Sequence, residues 1–219
     1  MSREMNMLKK LVLTILALFF TFSVTASEID KTQPYEMMKL VSERAFERLK
    51  SEQERIHQDP DYLKVIVEEE LMPFVNEKYA ALKLLGSNLK GAKREDVSQF
   101  IVAFRSYLIS SYAQVLTQYT DQTIEFGPEV KNSANKSITS VKVDIVDAPR
   151  PNIKLEFKLR KDKNTGEWEV FDMIAEGISL LSSKQSEWST KLRQEGIAAV
   201  ADELDTLSKQ AIRFENKAQ

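Results

Sequence analysis

The sequence predicts an α+β protein: a curved antiparallel sheet of four strands, or slightly more, covered by helices from both ends of the chain. Two observations predict it. Apolar residues recur at intervals of three and four from Tyr35 to Tyr119, and again from Ser183 to about Phe214, the period of helices that lie on a core. After Asp121 the period changes to two. Val141, Val143 and Ile145 then alternate with Lys142 and Asp144, while Ile153, Leu155, Phe157 and Leu159 alternate with Lys154, Glu156, Lys158 and Arg160.

The chain opens with Arg3, Lys9 and Lys10, an apolar run from Leu11 to Val24, and the small-residue stretch Val24-Thr25-Ala26 before the polar Ser27-Glu28. This is the order of a secretory signal peptide, and the run is shorter than the roughly 20 residues a membrane span needs. Residues 1–26 are therefore expected to be cleaved, leaving 27–219 as a single domain. Lipidation at the cut would need a cysteine, and the sequence has none.

The first helix of that domain is expected over Tyr35 to Ile56, where Met38, Val41, Ala45 and Leu49 share a face. Asp59-Pro60-Asp61 breaks it, and Asp61 is placed to cap a helix from Tyr62 to Met72. Pro73 interrupts, and a further helix is expected from about Phe74 to Leu85, stopped by Gly86. Glu68-Glu69-Glu70 reads as a solvated helix face. The strongest helix lies within Lys93 to Tyr119, with a stripe of Val97, Phe100, Ile101, Phe104, Tyr107, Leu108, Tyr112, Val115, Leu116 and Tyr119. Such a stripe is more often plain core than a ligand wall.

Ile124 and Phe126 mark the first strand, and the two alternating runs above mark the second and third. Ala148-Pro149-Arg150-Pro151-Asn152 and Asp162-Lys163-Asn164-Thr165-Gly166 carry the turn residues between strands. A fourth strand, Glu167 to Met173, shows Trp168 and Val170 on one face. Four strands in sequence suggest a strongly curved meander with its apolar face against the helices. Ile174 to Leu181 reads as the exit from the last strand. Two helices then close the chain, Ser183 to about Gln194 and Ile197 to about Phe214, the second with a dry face of Ile197, Val200, Leu204, Leu207 and Ala211.

Composition excludes several functions. The net charge is −2, and loss of residues 1–26 makes the domain more acidic, so it has no electrostatic footprint for nucleic acid and no polybasic membrane clamp. An exported chain without cysteine has neither disulfides nor thiol chemistry, and its stability must come from its core, which suits a bacterial periplasm. The single histidine, His57, sits where a helix ends and reads as solvated. There is no Gly-rich phosphate loop, no nucleophile elbow and no metal-ligand spacing. Pairs of acids such as Glu125 with Glu129 have no specific spacing. The chain reads as a protein that binds rather than an enzyme, with no metal and no cofactor.

Several segments resemble one known family. Asp59-Pro60-Asp61-Tyr62-Leu63, Glu70-Leu71-Met72-Pro73-Phe74-Val75 with Lys78-Tyr79-Ala80, and Phe104-Arg105-Ser106-Tyr107-Leu108 with Tyr112-Ala113 and Tyr119 are similar to the MlaC family, also called toluene-tolerance or ABC-transporter auxiliary proteins. The most specific stretch is Trp168, Asp172-Met173-Ile174-Ala175-Glu176-Gly177-Ile178-Ser179, Lys184-Gln185, Glu187-Trp188 and Leu192. The resemblance runs from about Tyr35 to Leu207.

It implies a nuclear-transport-factor-like sheet with an apolar pocket between sheet and helices. It also implies a periplasmic phospholipid carrier that helps maintain outer-membrane lipid asymmetry. The implied partners are an outer-membrane lipoprotein–porin complex and the substrate-binding ring of an inner-membrane ABC transporter, with phospholipid as cargo. A shuttle of this kind is most simply a monomer. The alternative is a periplasmic binding module or chaperone for another apolar ligand.

With that implication, the candidate wall of the pocket is Phe74, Tyr79, Leu84, Phe100, Phe104, Leu108, Tyr112 and Leu116 from helices. Val141, Val143, Ile145, Leu155, Phe157, Leu159, Trp168 and Val170 complete it from strands. Each is equally readable as ordinary core. Arg105, Arg150 and Arg160 can meet a phosphate or a partner protein, although solvated arginines are the commoner case.

Overall fold

In a computed structural model, the structure describes residues 29–130, 136–147 and 151–214. The leader expected over residues 1–26 lies outside the described residues, as does Arg150. Helix α1 (Pro34–Ser51) starts at a proline, whose missing N–H costs nothing in a first turn, and buries Met37, Met38, Val41, Ala45 and Leu49. A short α2 (Gln53–Gln58) follows, and α3 (Tyr62–Ile66) then widens into a single π turn over Val67–Leu71 and tightens to a 3-10 turn over Met72–Phe74.

The helix expected to reach Met72 without a break is thus already altered at Val67. The widened turn brings Glu70 under α1, where its carboxylate receives Arg44 and Arg48, so Glu70 is 9% exposed instead of lying on a solvated face. Helix α4 (Glu77–Leu85) begins three residues later than Phe74, because Val75 pairs with Val170 and the Asn76 amide donates to the Val170 carbonyl at 2.8 Å. Asn76 then caps α4 by accepting from the Tyr79 amide at 2.9 Å.

Asp61 does not cap α3. Its carboxylate accepts from the Ile212 amide at 3.1 Å and pairs with Lys64 at 2.9 Å. The last helix accordingly ends at Ser208 rather than near Phe214. Beyond it the chain folds back, burying Ile212 beside Tyr62 and Leu63, while Gln114 bonds the Arg213 carbonyl at 2.7 Å. Hydrogen bonding from Lys64 first, and from the Ile212 amide, holds the Asp61 carboxyl below its ordinary value near 3.8.

A lowered folded pKa stabilises the contact above the ordinary value and releases it as pH falls through the folded one. Asp61→Ala is therefore expected to speed tryptic cleavage at Lys209 and Arg213 by about tenfold at neutral pH, a local opening of the tail. The wild type should lose the same protection only in acid, as hydrogen exchange at Ile212 would show.

Helix α5 (Arg94–Leu116) crosses the molecule, and α6 (Leu180–Gln194) and α7 (Gly196–Ser208) pack with it. Between α5 and α6 runs an antiparallel meander, β1 (Thr123–Phe126), β2 (Ile138–Val146), β3 (Ile153–Lys161), β4 (Trp168–Ala175) and β5 (Ile178–Ser179), in that spatial order. The expected exit over Ile174 to Leu181 instead closes a hairpin. Glu176 and Gly177 both take positive φ, 48° and 82°, and Ile174 pairs with Ser179.

Ser179 then caps α6, accepting from the Ser182 amide at 3.0 Å, and the Asp172 carboxylate accepts from the Leu181 amide at 3.1 Å. This is why α6 begins at Leu180, three residues before the expected Ser183. In β4 the register shifts, so that Phe157 faces Met173 but Leu159 faces Val170, leaving Phe171 as the extra residue of a bulge.

Three apolar clusters result. One lies among α4, α5, α6 and α7 around Phe100, Phe104, Trp188 and Val200. The second joins α1, α2, α3 and α5 around Leu49, Leu63, Ile66 and Ala113. The third sits between α1, the 72–74 turn and the sheet around Met37, Phe74, Val143 and Leu159.

Candidate functional site

The inner face of the sheet is closed at one end and unclosed at the other. Val141, Val143, Leu159 and Trp168 are 3%, 2%, 0% and 3% exposed, sealed by Met37, Met38, Val41 and Phe74. On the same face of β3, Leu155 and Phe157 remain half-buried, as do Val170 and Met173 across from Leu159 and Phe157, and Ile145 toward the end of β2. Side chains that point inward and keep accessible surface show that the layer above them does not close.

Helix α5 shows the same division along its length. Phe100 and Phe104, stacked at 5.9 Å, are sealed, whereas Tyr107, Leu108, Ile109, Tyr112 and Leu116 stay half-buried. Helix α5 packs mainly on α7, α4 and α3, and Ile109, Tyr112 and Leu116 of its second half lie against the cluster around Leu49, Leu63 and Ile66 without being sealed by it. Half-buried apolar side chains are thus found both on the sheet and along the second half of α5.

Of the expected wall, Leu108, Tyr112, Leu116, Ile145, Leu155, Phe157 and Val170 carry this unclosed surface. Phe74, Val141, Val143, Leu159 and Trp168 form the closed end, and Leu84, Phe100 and Phe104 are sealed within the helical cluster. Tyr79 is engaged elsewhere. Its ring meets Phe171 edge-on at 5.1 Å, and the Arg160 guanidinium lies 4.5 Å from its centroid. Val115, on the expected stripe, is 60% exposed.

Sequence reasoning missed Leu71, Val75, Ile109, Ile124 and Met173, all half-buried and inward. Ile109 lies one turn before Tyr112 and was available from helical spacing. Leu71 and Val75 lie in the irregular 67–76 segment, where no period marks an inward face, and the bulge sets the facing of Met173.

Polar groups are few at this surface. Tyr112 is half-buried, and burial first, then the charge of Asp172, pushes its phenol up to about 12. It is therefore a neutral hydroxyl at any physiological pH. Arg105 is committed to a two-bond fork with Glu68, at 2.8 and 2.7 Å, which raises its pKa, and it is not a free phosphate ligand. Glu156 is held below its usual range chiefly by Lys158 at 2.7 Å. His57 is exposed and stacks on Phe214 at 5.0 Å.

Among the described residues no cluster of three or more His, Cys, Asp or Glu can hold a metal, and no helix is long and apolar enough to cross a membrane. What the arrangement offers is an apolar sheet face that is sealed at one end and left partly accessible at the other.

Among known proteins, a family described as MlaC protein matches residues 39–206. A relative from Haemophilus influenzae, named intermembrane phospholipid transport system binding protein MlaC, is 35% identical over 203 residues, covering 92% of this chain and 94% of that protein. Of the solved structures, a phospholipid-binding protein from Ralstonia solanacearum, determined in complex with a phospholipid, is similar with a TM-score of 0.69. At 18% identity the likeness covers 82% of this chain and 97% of that one, and it establishes a shared α+β fold.

Proposed function

The chain belongs to the MlaC family, and we propose that it holds a phospholipid by its acyl chains between α5 and the unclosed half of the sheet. One observation supports this more than any other. A single strand face passes from sealed, at Leu159, to half-buried, at Phe157 and Leu155. A plain core would continue the seal. Burying a methylene contributes about 0.8 kcal/mol, so about ten of them supply ~8 kcal/mol, enough for micromolar binding without any contact to the head group.

The leader-like segment at residues 1–26 supports a periplasmic location. The name of the Haemophilus relative supports a role in intermembrane phospholipid transport. The protein would then exchange lipid with an outer-membrane lipoprotein–porin complex and with the substrate-binding ring of an inner-membrane ABC transporter. A carrier with no energy-coupling site equilibrates its cargo, so direction comes from the partners.

Leu108→Trp tests the placement. Leu108 is half-buried beside the helical cluster, and the added ring would occupy space assigned to an acyl chain. Transfer of fluorescent phospholipid between vesicles should fall about tenfold with little change in melting temperature. Unchanged transfer would move the lipid elsewhere. Val143→Trp is a poor substitute, since Val143 is 2% exposed and a larger side chain there overpacks the core at about 1–3 kcal/mol.

A further inference from the structure

The half-buried side chains of α5 and those of the sheet meet at one short segment. Ile109, Tyr112 and Leu116 pack on the cluster around Leu49 and Leu63, while Leu155, Phe157 and Val170 pack on the cluster around Met37 and Phe74. Among the described residues Leu71 is the one partly buried side chain packed against both clusters. Four residues on, Val75 packs on the first cluster and pairs with Val170, which packs on the second.

The residues around Leu71 are closed off. Glu70 and Met72 are 9% and 3% exposed and Phe74 is 6%, with Met72 in the first cluster and Phe74 in the second. Leu71, the last residue of the π turn, keeps accessible surface. A leucine that touches two clusters and is sealed by neither lies at the seam where their packing is incomplete.

The face of β3 supplies the direction. Leu159 is 0% exposed, Phe157 and Leu155 are half-buried, and Ile153, the next residue on that face, is 41% exposed. The apolar face therefore opens toward Ile153 and closes toward Leu159 and the Phe74 cluster, against which Leu71 packs. A lipid laid along it keeps its polar head in water at the Ile153 end and carries its chain ends toward the closed end.

We infer that Leu71 is a specificity-determining residue for acyl-chain length: the chain ends meet its side chain at the seam, so its size sets how many methylenes the site accepts. The inference rests on the proposed lipid site. Each methylene that finds apolar contact is worth about fourfold in binding, and one without room forgoes that gain.

The test offers the delipidated protein vesicles with equal parts of dimyristoleoyl, dipalmitoleoyl and dioleoyl phosphatidylethanolamine, and native mass spectrometry reads which lipid is bound. Relative to wild type, Leu71→Ala should shift the bound lipid toward dioleoyl by about fourfold, and Leu71→Phe toward dimyristoleoyl by a similar factor. Both substitutions disturb packing, so a loss of stability alone would not move the two in opposite directions. Arg48→Ala, which weakens the fold away from the seam, should keep the wild-type distribution.

A distribution that neither Leu71 variant moves, or that both move the same way, overturns the inference and leaves the lipid site standing. Failure of the wild type to take up any of the three lipids overturns the site itself. Should Leu71→Phe misfold, the comparison of Leu71→Ala with Arg48→Ala still decides: a shift toward dioleoyl in the first alone supports the inference, and matching distributions overturn it.

Discussion

Phe157→Glu should strip the protein of co-purifying phospholipid while leaving it folded. Phe157 lies mid-strand in β3, between Val141 on β2 and Met173 on β4, on the face it shares with Leu155 and Leu159. It is half-buried, so in the lipid-free protein water can reach a carboxylate there. Lost ring contacts then cost about 1–2 kcal/mol, well below the 3–5 kcal/mol of a sealed phenylalanine. With acyl chains in place the same carboxylate faces hydrocarbon, and an unpaired charge in such surroundings costs several kcal/mol.

At 1.4 kcal/mol per tenfold, occupancy should drop by about a hundredfold or more. Leu159→Glu, two residues along the same face, is the contrast. Leu159 is 0% exposed, so a charge there should unfold the protein instead of emptying it. Circular dichroism together with lipid counting separates the two outcomes.

Arg48→Ala should lower stability by about 3 kcal/mol without changing what the protein binds. The Arg48 guanidinium lies between α1 and the π turn, bonding Glu70 at 2.8 Å and Tyr62 Oη at 2.9 Å, with Glu52 at 3.3 Å and the more exposed Glu69 at 2.6 Å. Burial works against its charge, but the bonds to Tyr62, Glu69 and Glu70 outweigh burial and hold its pKa above the ordinary value. Glu69 is half in water and contributes little.

Removing Arg48 leaves the Glu70 carboxylate, whose side chain is 11% exposed, with only Arg44. Breaking a buried pair from one side is costly for this reason. Urea denaturation should show an earlier midpoint with an unchanged slope. Replacing both partners, as Arg48→Met with Glu70→Leu, should restore much of the loss, because no buried charge is left alone.

Regular elements were legible in the sequence because a period is a local property. Val141, Val143 and Ile145 point inward as their alternation requires, and the Phe100 to Leu116 stripe lies on the buried side of α5 except at Val115. Irregular features were not legible. The π turn at Val67–Leu71, the bulge at Phe171 and the return of Ile212 to Asp61 each depend on a partner distant in sequence. The same limit separates the two halves of the candidate wall. Alternation marks Phe157 and Leu159 alike as inward, but only the layer packed above them, Met37, Met38, Val41 and Phe74 at the closed end, decides which is sealed and which keeps accessible surface.

Mass spectrometry under native conditions of the protein purified from periplasmic extract, followed by lipid extraction, tests the lipid-carrying role most directly. A lipid-carrying role predicts a mass excess of about one phospholipid per chain, released on denaturation and regained from vesicles. A chain that is purified empty, and stays empty when offered phospholipid vesicles, would contradict it.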